Sequence, residues 1–375
     1  MPIRLLFLTI AVFAATTAAA QTRSAAGMTD GAELFAAGCA GCHGPRGAGA
    51  SDAMLGFEKP STYPDFTSCA QTSPEVEANW WAVIHDGGKA RGFSRIMPAF
   101  GDLLSPEQIT ALVRYIRSLC QERAWAIGEL NLPRPLVTEK AFPEDETILT
   151  STIGPAAQGG RGHDSVTALQ YERRFGAANQ IEMLVPFAVA HDQSSTAQRG
   201  VGDVEFGVKH VMFSNPRTGS IVSVLGVVTL PAGNRDKGLG TGTTVFEADV
   251  TFGQLFPGSA FVQGQAGLEQ GANRDLAPRA GFIRLAAGKS FRADRGLGRM
   301  WSPMLELIAT RDVVTGGSTD IDLIPEVQVT LNRRQHVRGL VGLQLPATNR
   351  GERPKQVGFY ILWDWFDGGL FSGWK

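Results

Sequence analysis

Residues 39–44 read Cys39-Ala40-Gly41-Cys42-His43-Gly44. Two thiols with two residues between them match the edge of a porphyrin, and each can form a thioether with a haem vinyl group. The histidine that follows is then held beneath the iron as its proximal ligand. Zinc sites use similar spacing, so the string alone leaves a plain metal site open. A second candidate ligand lies in Ile96-Met97-Pro98-Ala99-Phe100-Gly101. The thioether of Met97 is a soft, neutral sixth ligand that raises the iron potential, and Pro98 stops a helix at that point. Met54 follows His43 too closely to reach the other haem face. His85 is the rival sixth ligand, but it sits in a helix-like run over 74–86, where it packs or caps. The expectation is one covalent haem c on Cys39 and Cys42, with His43 and Met97 on the iron.

The elements that must position these ligands are helical. Thr29-Asp30 can cap a short helix through Glu33, Leu34 and Phe35 that runs into the attachment site. Ser73-Pro74-Glu75 opens a second helix carrying Trp80, Trp81, Val83 and Ile84, which stops at Gly87-Gly88. Ser105-Pro106-Glu107-Gln108 is a capping box with proline at the first helical position. After it, Ile109, Leu112, Val113, Ile116 and Leu119 recur at helical spacing.

These parts together resemble a class I, monohaem cytochrome c over about 28–121. The resemblance is carried by Glu33-Leu34-Phe35, the Cys39/Cys42/His43 site, the Met97-Pro98 loop and the helix after it. It implies an all-α domain, here 21–121, that transfers electrons and needs no substrate turnover. Met1–Ala20 has a basic Arg4, an apolar run from Leu5 to Ala14, and Ala18-Ala19-Ala20 before Gln21. That pattern is a secretory signal peptide over 1–20, with cleavage expected after Ala20. In the oxidising compartment it implies, Cys69 and Cys120 are expected to form a structural disulfide.

A cytochrome c domain accounts for about a quarter of the 375 residues. Lys+Arg 35 against Asp+Glu 36 excludes the basic excess of a nucleic-acid binder. Residues 122–146 are rich in proline (Leu132-Pro133-Arg134-Pro135, Phe142-Pro143), which favours an extended linker or a strap lying on the next domain. From about 147 the period becomes two. Ile321, Leu323, Val327, Val329 and Leu331 fall on one face, and Asp322, Glu326, Gln328, Thr330 and Asn332 on the other. Phe246, Ala248, Val250 and Phe252 alternate with Glu247, Asp249 and Thr251. Val262, Gly264, Ala266 and Leu268 alternate with Gln263, Gln265 and Glu269. Val357, Phe359, Ile361, Trp363 and Trp365 form another apolar face. Such runs are strands with one apolar and one polar side.

Short turn signals (176–179, 215–219, 256–259) alternate with longer polar stretches (231–243, 273–278, 292–298). Aromatics such as Phe246, Phe252, Phe261, Trp301, Trp363 and Trp365 gather at strand ends. About twelve strands are expected, forming an antiparallel outer-membrane barrel over 147–375. A soluble periplasmic β-sheet domain shares the alternation and is the alternative. Asp249, Glu247, Glu269, Asp322 and Glu326 would line a lumen and hydrate it.

Val201-Gly202-Asp203-Val204-Glu205-Phe206-Gly207-Val208-Lys209, with Thr229-Leu230-Pro231-Ala232-Gly233, resembles the outer-membrane transporter family tied to the phenol-degradation meta pathway. The whole layout is similar to fused cytochrome–porin proteins, in architecture only. The expected fold is therefore multidomain: an all-α cytochrome c domain, then an all-β membrane barrel. The expected function is an exported electron carrier, rather than a turnover enzyme, anchored at the outer membrane. Its haem domain would lie in the periplasm or the barrel lumen and serve a periplasmic or extracellular redox partner, with membrane lipid around the barrel. The alternative is a pore or transporter for a small solute with an accessory haem domain.

Overall fold

The computed structural model describes residues 27–122, 124–156, 162–191, 196–292, 300–351 and 353–371. The signal segment expected at 1–20 lies outside them. Five helices come first: α1 Gly31–Gly38, α2 Ala40–His43, α3 Cys69–Thr72, α4 Glu77–Asp86 and α5 Pro106–Leu119. The Asp30 side chain caps α1 by accepting from the Ala32 and Glu33 amides at 2.8 and 3.1 Å. Ser105 and Gln108 complete the capping box of α5. The second helix opens slightly later than the sequence suggests, after Val76 rather than Ser73.

Ile109, Leu112, Val113 and Ile116 bury one face of α5 against Leu34, Phe35, Phe66 and Ile84. Each such side chain stabilises the fold by about 1.5–3 kcal/mol. The helices cross where α1 has no side chain, since a Cβ at Gly31 would overlap the Ala111 carbonyl. Cys69 and Cys120 form the expected disulfide, with a Cα–Cα distance of 5.1 Å. It ties α3 to the end of α5, and a loop of this length is worth about 4 kcal/mol.

Strands follow: β1 Glu146–Pro155, β2 His163–Phe175, β3 Asn179–His191, β4 Ala197–Val201, β5 Val204–Asn215, β6 Ser220–Leu230, β7 Val245–Leu255, β8 Ala260–Gly271, β9 Ala280–Lys289, β10 Phe291–Arg292, β11 Met300–Asp312, β12 Thr319–Thr330, β13 Val337–Pro346 and β14 Gln356–Asp364. β4 pairs with β3, as β5 does, and β10 pairs with β11, as β9 does, so each of these two short pieces extends a neighbour. The remaining 12 strands form an antiparallel meander closed by β1 against β14, with Glu146 opposite Asp364. Closure leaves no free sheet edge. Leu149, Ile153, Leu169, Val208, Leu268, Ile283, Leu305, Val341 and Phe359 project outward and are exposed. An apolar exterior around a closed, up-and-down barrel is the outer-membrane solution. The Asp203 carboxylate of the transporter-like motif pins the long loop after β6, accepting from Gly233 N at 2.9 Å and Thr241 N at 2.7 Å.

Phe261 departs from the expected aromatic belt. It is 2 % exposed and faces the lumen, packed with Leu132, Met304 and Tyr360. Its partner shows the larger departure, because Leu132 belongs to the proline-rich segment. That segment is not a strap over the surface; it enters the barrel. Leu130, Ala141 and Phe142 pack on Val211 and Ile221 inside. Arg134 reaches Glu146 at 2.9 Å, Glu172 at 2.8 Å and Glu139 at 2.9 Å. The Tyr360 hydroxyl and the Gln328 amide donate to the Arg134 carbonyl. Lys140 pairs with Glu144 and Glu146. Backbone amides of Leu136 and Val137 donate to Glu326 and Glu306 at 3.0 and 3.2 Å. Lumen carboxylates thus take the place of the missing sheet partners of an extended chain.

The helical domain rests on the barrel end that carries the short turns. Arg174 at the end of β2 donates to the Ser73 hydroxyl at 3.3 Å. Arg91 donates to the Arg334 carbonyl at 3.2 Å, and Arg334 returns a bond to Gly92 O at 2.9 Å. Gly128 N donates to Ser73 O at 2.7 Å, where a Cβ would strike the Pro74 carbonyl. His336, in the turn before β13, meets Glu75 at 3.2 Å. Burial alone would raise Glu75, but the hydrogen bond and charge of His336 outweigh it and hold Glu75 down at about 2. Burial alone would lower His336, but the bond to Glu75 and the charge of Asp367 raise it.

Two outcomes are expected. Arg134→Ala strands Glu172 as a buried charge, leaves Glu146 with Lys140 and lowers barrel stability by about 3–5 kcal/mol, read by thermal unfolding in detergent; an unchanged transition would contradict the role given to Arg134. The His336–Glu75 pair contributes docking stability. The His336 share is full below 6.5 and lost as pH rises through its raised value. The Glu75 share is full above 4.5 and lost only as pH falls toward about 2. Limited proteolysis of the domain junction should therefore speed up on the alkaline side, and His336→Gln should remove that limb.

Candidate haem site

α1 delivers the attachment site directly. Its last turn bonds Cys39 N to Phe35 O at 2.8 Å, and α2 follows with His43 N to Cys39 O at 2.9 Å. The backbone past His43 folds back, with Gly49 N on His43 O at 2.8 Å and Ala50 N on Cys42 O at 3.0 Å. The His43 ring is flanked by Tyr63, stacked at 5.6 Å, and Phe66 at 4.7 Å. The Tyr63 hydroxyl donates to the Cys42 carbonyl. The Met97 loop is clamped to α4 by Phe100 N to Ile84 O and Gly101 N to His85 O, both 2.9 Å. Gly88 N also holds Met97 O at 3.1 Å.

Cys39, Cys42, His43 and Met97 line one cleft, whose walls include Phe35, Phe66, Trp80, Ile84 and Phe100. The four residues singled out from sequence are therefore brought together. His85 is not part of this cleft: its ring stacks on Trp81 at 4.7 Å and bonds Asp86 at 2.7 Å. Met54 is 73 % exposed and also outside it. Trp80 supplies the indole at the cleft, and Trp81 faces Pro106.

The donor set fits a c-type haem. Burial lowers His43 to about 4, so its imidazole is neutral and able to bind a metal. Burial, with Cys42 alongside, pushes the Cys39 thiol up to about 11, which is unlike an activated thiolate pair of a thiol oxidoreductase. His43 Nδ1 and Trp80 Nε1 are buried without a hydrogen-bond partner among the described residues. Two carboxylate clusters elsewhere, Glu139/Glu172/Glu182 and Glu144/Glu146/Asp364, converge to within 4.8 Å. Each already holds protein cations, Arg134 and Lys209 in the first, Lys140 and Arg338 in the second. They belong to the plugged lumen and do not resemble free metal sites.

Sequence reasoning missed the cleft residues that come from elsewhere. Glu75 and Asn79 lie on or before α4, and Phe366 and Asp367 follow the last strand of the barrel. No sequence pattern marks the last two, because the docking of two domains puts them there.

Residues 28–120 match the cytochrome c family model. No curated protein matches the chain. Among solved structures, the barrel is similar to a KdgM porin, at 10% identity over 59% of this chain and 99% of that one, with a TM-score of 0.41. It is also similar to an outer-membrane channel from Pseudomonas putida F1, at 14% identity, covering 62% and 99% with a TM-score of 0.43. A NanC porin gives 8% identity, 58% and 98% coverage, and a TM-score of 0.39. The barrel assignment rests on strand pairing and face polarity, not on these likenesses. The chain carries a cytochrome c domain at residues 28–120, which implies covalently bound haem c, fused to a closed 12-stranded β-barrel.

Proposed function

We propose that the protein is a membrane-anchored electron carrier with one haem c, working at the periplasmic face of the outer membrane. Cys39 and Cys42 hold the haem covalently, and His43 and Met97 ligate its iron. The haem supplies a one-electron ferric/ferrous couple. The observation that carries the reading is the cleft itself: thiols, imidazole and thioether converge in an apolar pocket beside a plugged barrel. His43, kept neutral by burial, binds from one side. The Met97 loop, clamped to α4, would offer its thioether as a second ligand within the same apolar cleft.

The chain has 4 cysteines, and two are spent on the disulfide, which supports a single haem. The helical domain sits at the short-turn end, as at Gly176–Ala178 and Pro216–Gly219, and short turns face the periplasm in such barrels. The plugged lumen weighs against the pore reading. Carboxylates, their paired cations and apolar side chains fill it among the described residues, which favours electron passage at the membrane surface over passage through the barrel. A periplasmic protein with an exposed one-electron centre is the kind of partner this arrangement serves.

Two measurements test this. Met97→Ala should lower the midpoint potential and change the haem spectrum, since it removes the thioether; an unaltered spectrum would remove Met97 from the iron. In planar bilayers the intact protein should stay closed. An open intact protein would return the barrel to a transport role.

A further inference from the structure

Phe366 and Asp367 belong to the barrel's end, yet they line the same cleft as His43 and Met97. Their position is built. Trp365 N donates to Asp145 O at 3.0 Å, and Gly368 N closes the turn on Trp365 O at 3.2 Å. The Phe366 ring lies 4.9 Å from that of His336. Asp367 faces Arg334 at 3.9 Å and His336 at 3.7 Å. Arg334 in turn lies over Phe93, another cleft residue, at 4.5 Å. A carboxylate of the barrel is thus held at the edge of a pocket made by the other domain.

We propose that this turn is a wall of the haem cleft and that Asp367 sets the reduction potential of the bound haem. The inference rests on the haem assignment above and adds a control over it. Ferric haem carries one more positive charge than ferrous haem, so a nearby carboxylate favours the ferric form. The effect is larger in a low-dielectric cleft than in water. The helical domain contributes Glu75, already bonded to His336 and Asn79, and the neutral Gln71 to the same cleft. Asp367 is therefore the acid that reaches the cleft only through docking. Phe366 keeps water from that edge. Asp367 acts as a positioning charge and takes no part in bond making. The couple exchanges one electron with no bond formed or broken.

The test is a mediated redox titration of the full chain in detergent, with dithionite as electron donor and ferricyanide as acceptor. Covalent haem is measured first by absorbance, and its absence from the unmodified protein overturns the haem assignment itself. With haem present, Asp367→Asn should raise the ferrous-to-ferric ratio at the original midpoint about tenfold, or about 59 mV for one electron. Asp367→Glu should keep the ratio within about twofold. If Asp367→Asn fails to assemble, Asp367→Ser, which also removes the charge, decides with the same expected rise. Superimposed curves for the original and Asp367→Asn proteins overturn the inference and leave the haem assignment standing. An equal shift in Asp367→Glu also overturns it, since a charge effect cannot produce that result.

Discussion

The register of the chain inside the barrel depends on one guanidinium. Arg134 lies inside a membrane barrel with Glu146, Glu172 and Glu139 around it. A 12-stranded barrel encloses more space than its own side chains fill, and this lumen is lined with acids. An extended chain entering such a space must satisfy its backbone and its charges together. The segment before β1 does both. Its carbonyls take donors from Tyr360, Gln328 and Gln263, and its amides find Glu326 and Glu306. Buried ion pairs add little net stability over apolar packing, but they penalise any other register of the chain. That penalty fixes where the segment starts and ends.

Position follows from it. The segment leaves the helical domain at about Ala126 and returns to the same barrel end at Glu146, so the domain is tethered close to that mouth. Arg174, Arg334 and His336 then meet Ser73, Gly92 and Glu75 across the junction. Docking completes the cleft, because the turn after β14 reaches it. Plug, docking and haem environment are thus one connected arrangement. A haem carried this way is placed by the membrane protein rather than by diffusion.

The local parts were legible in the sequence because their signals are short-range. The Cys39/Cys42/His43 spacing, the capping box at Ser105 and the period-two faces of β7 and β12 each stand within a few residues, and the structure bears out the capping box and the strand faces. The disulfide was legible from compartment and cysteine count. Asp249 and Glu326 could be placed in a lumen from alternation alone. What was not legible is long-range complementarity. Proline spacing around Arg134 says that the chain is extended; it does not say that Glu172 waits inside a barrel. Phe261 reads as a belt aromatic until Leu132 arrives beside it. Asp367 carries no mark of the cleft, since its neighbours come from another domain.

The central claim is a redox-active haem fixed on the periplasmic side of a closed barrel. It is tested most directly by adding a membrane-impermeant oxidant to intact cells whose haem has been reduced, and following the haem absorbance in the outer-membrane fraction. The account predicts that the haem stays reduced until the outer membrane is permeabilised, and is then oxidised at once. Immediate oxidation in intact cells, or recovery of the haem in the soluble fraction, would contradict it.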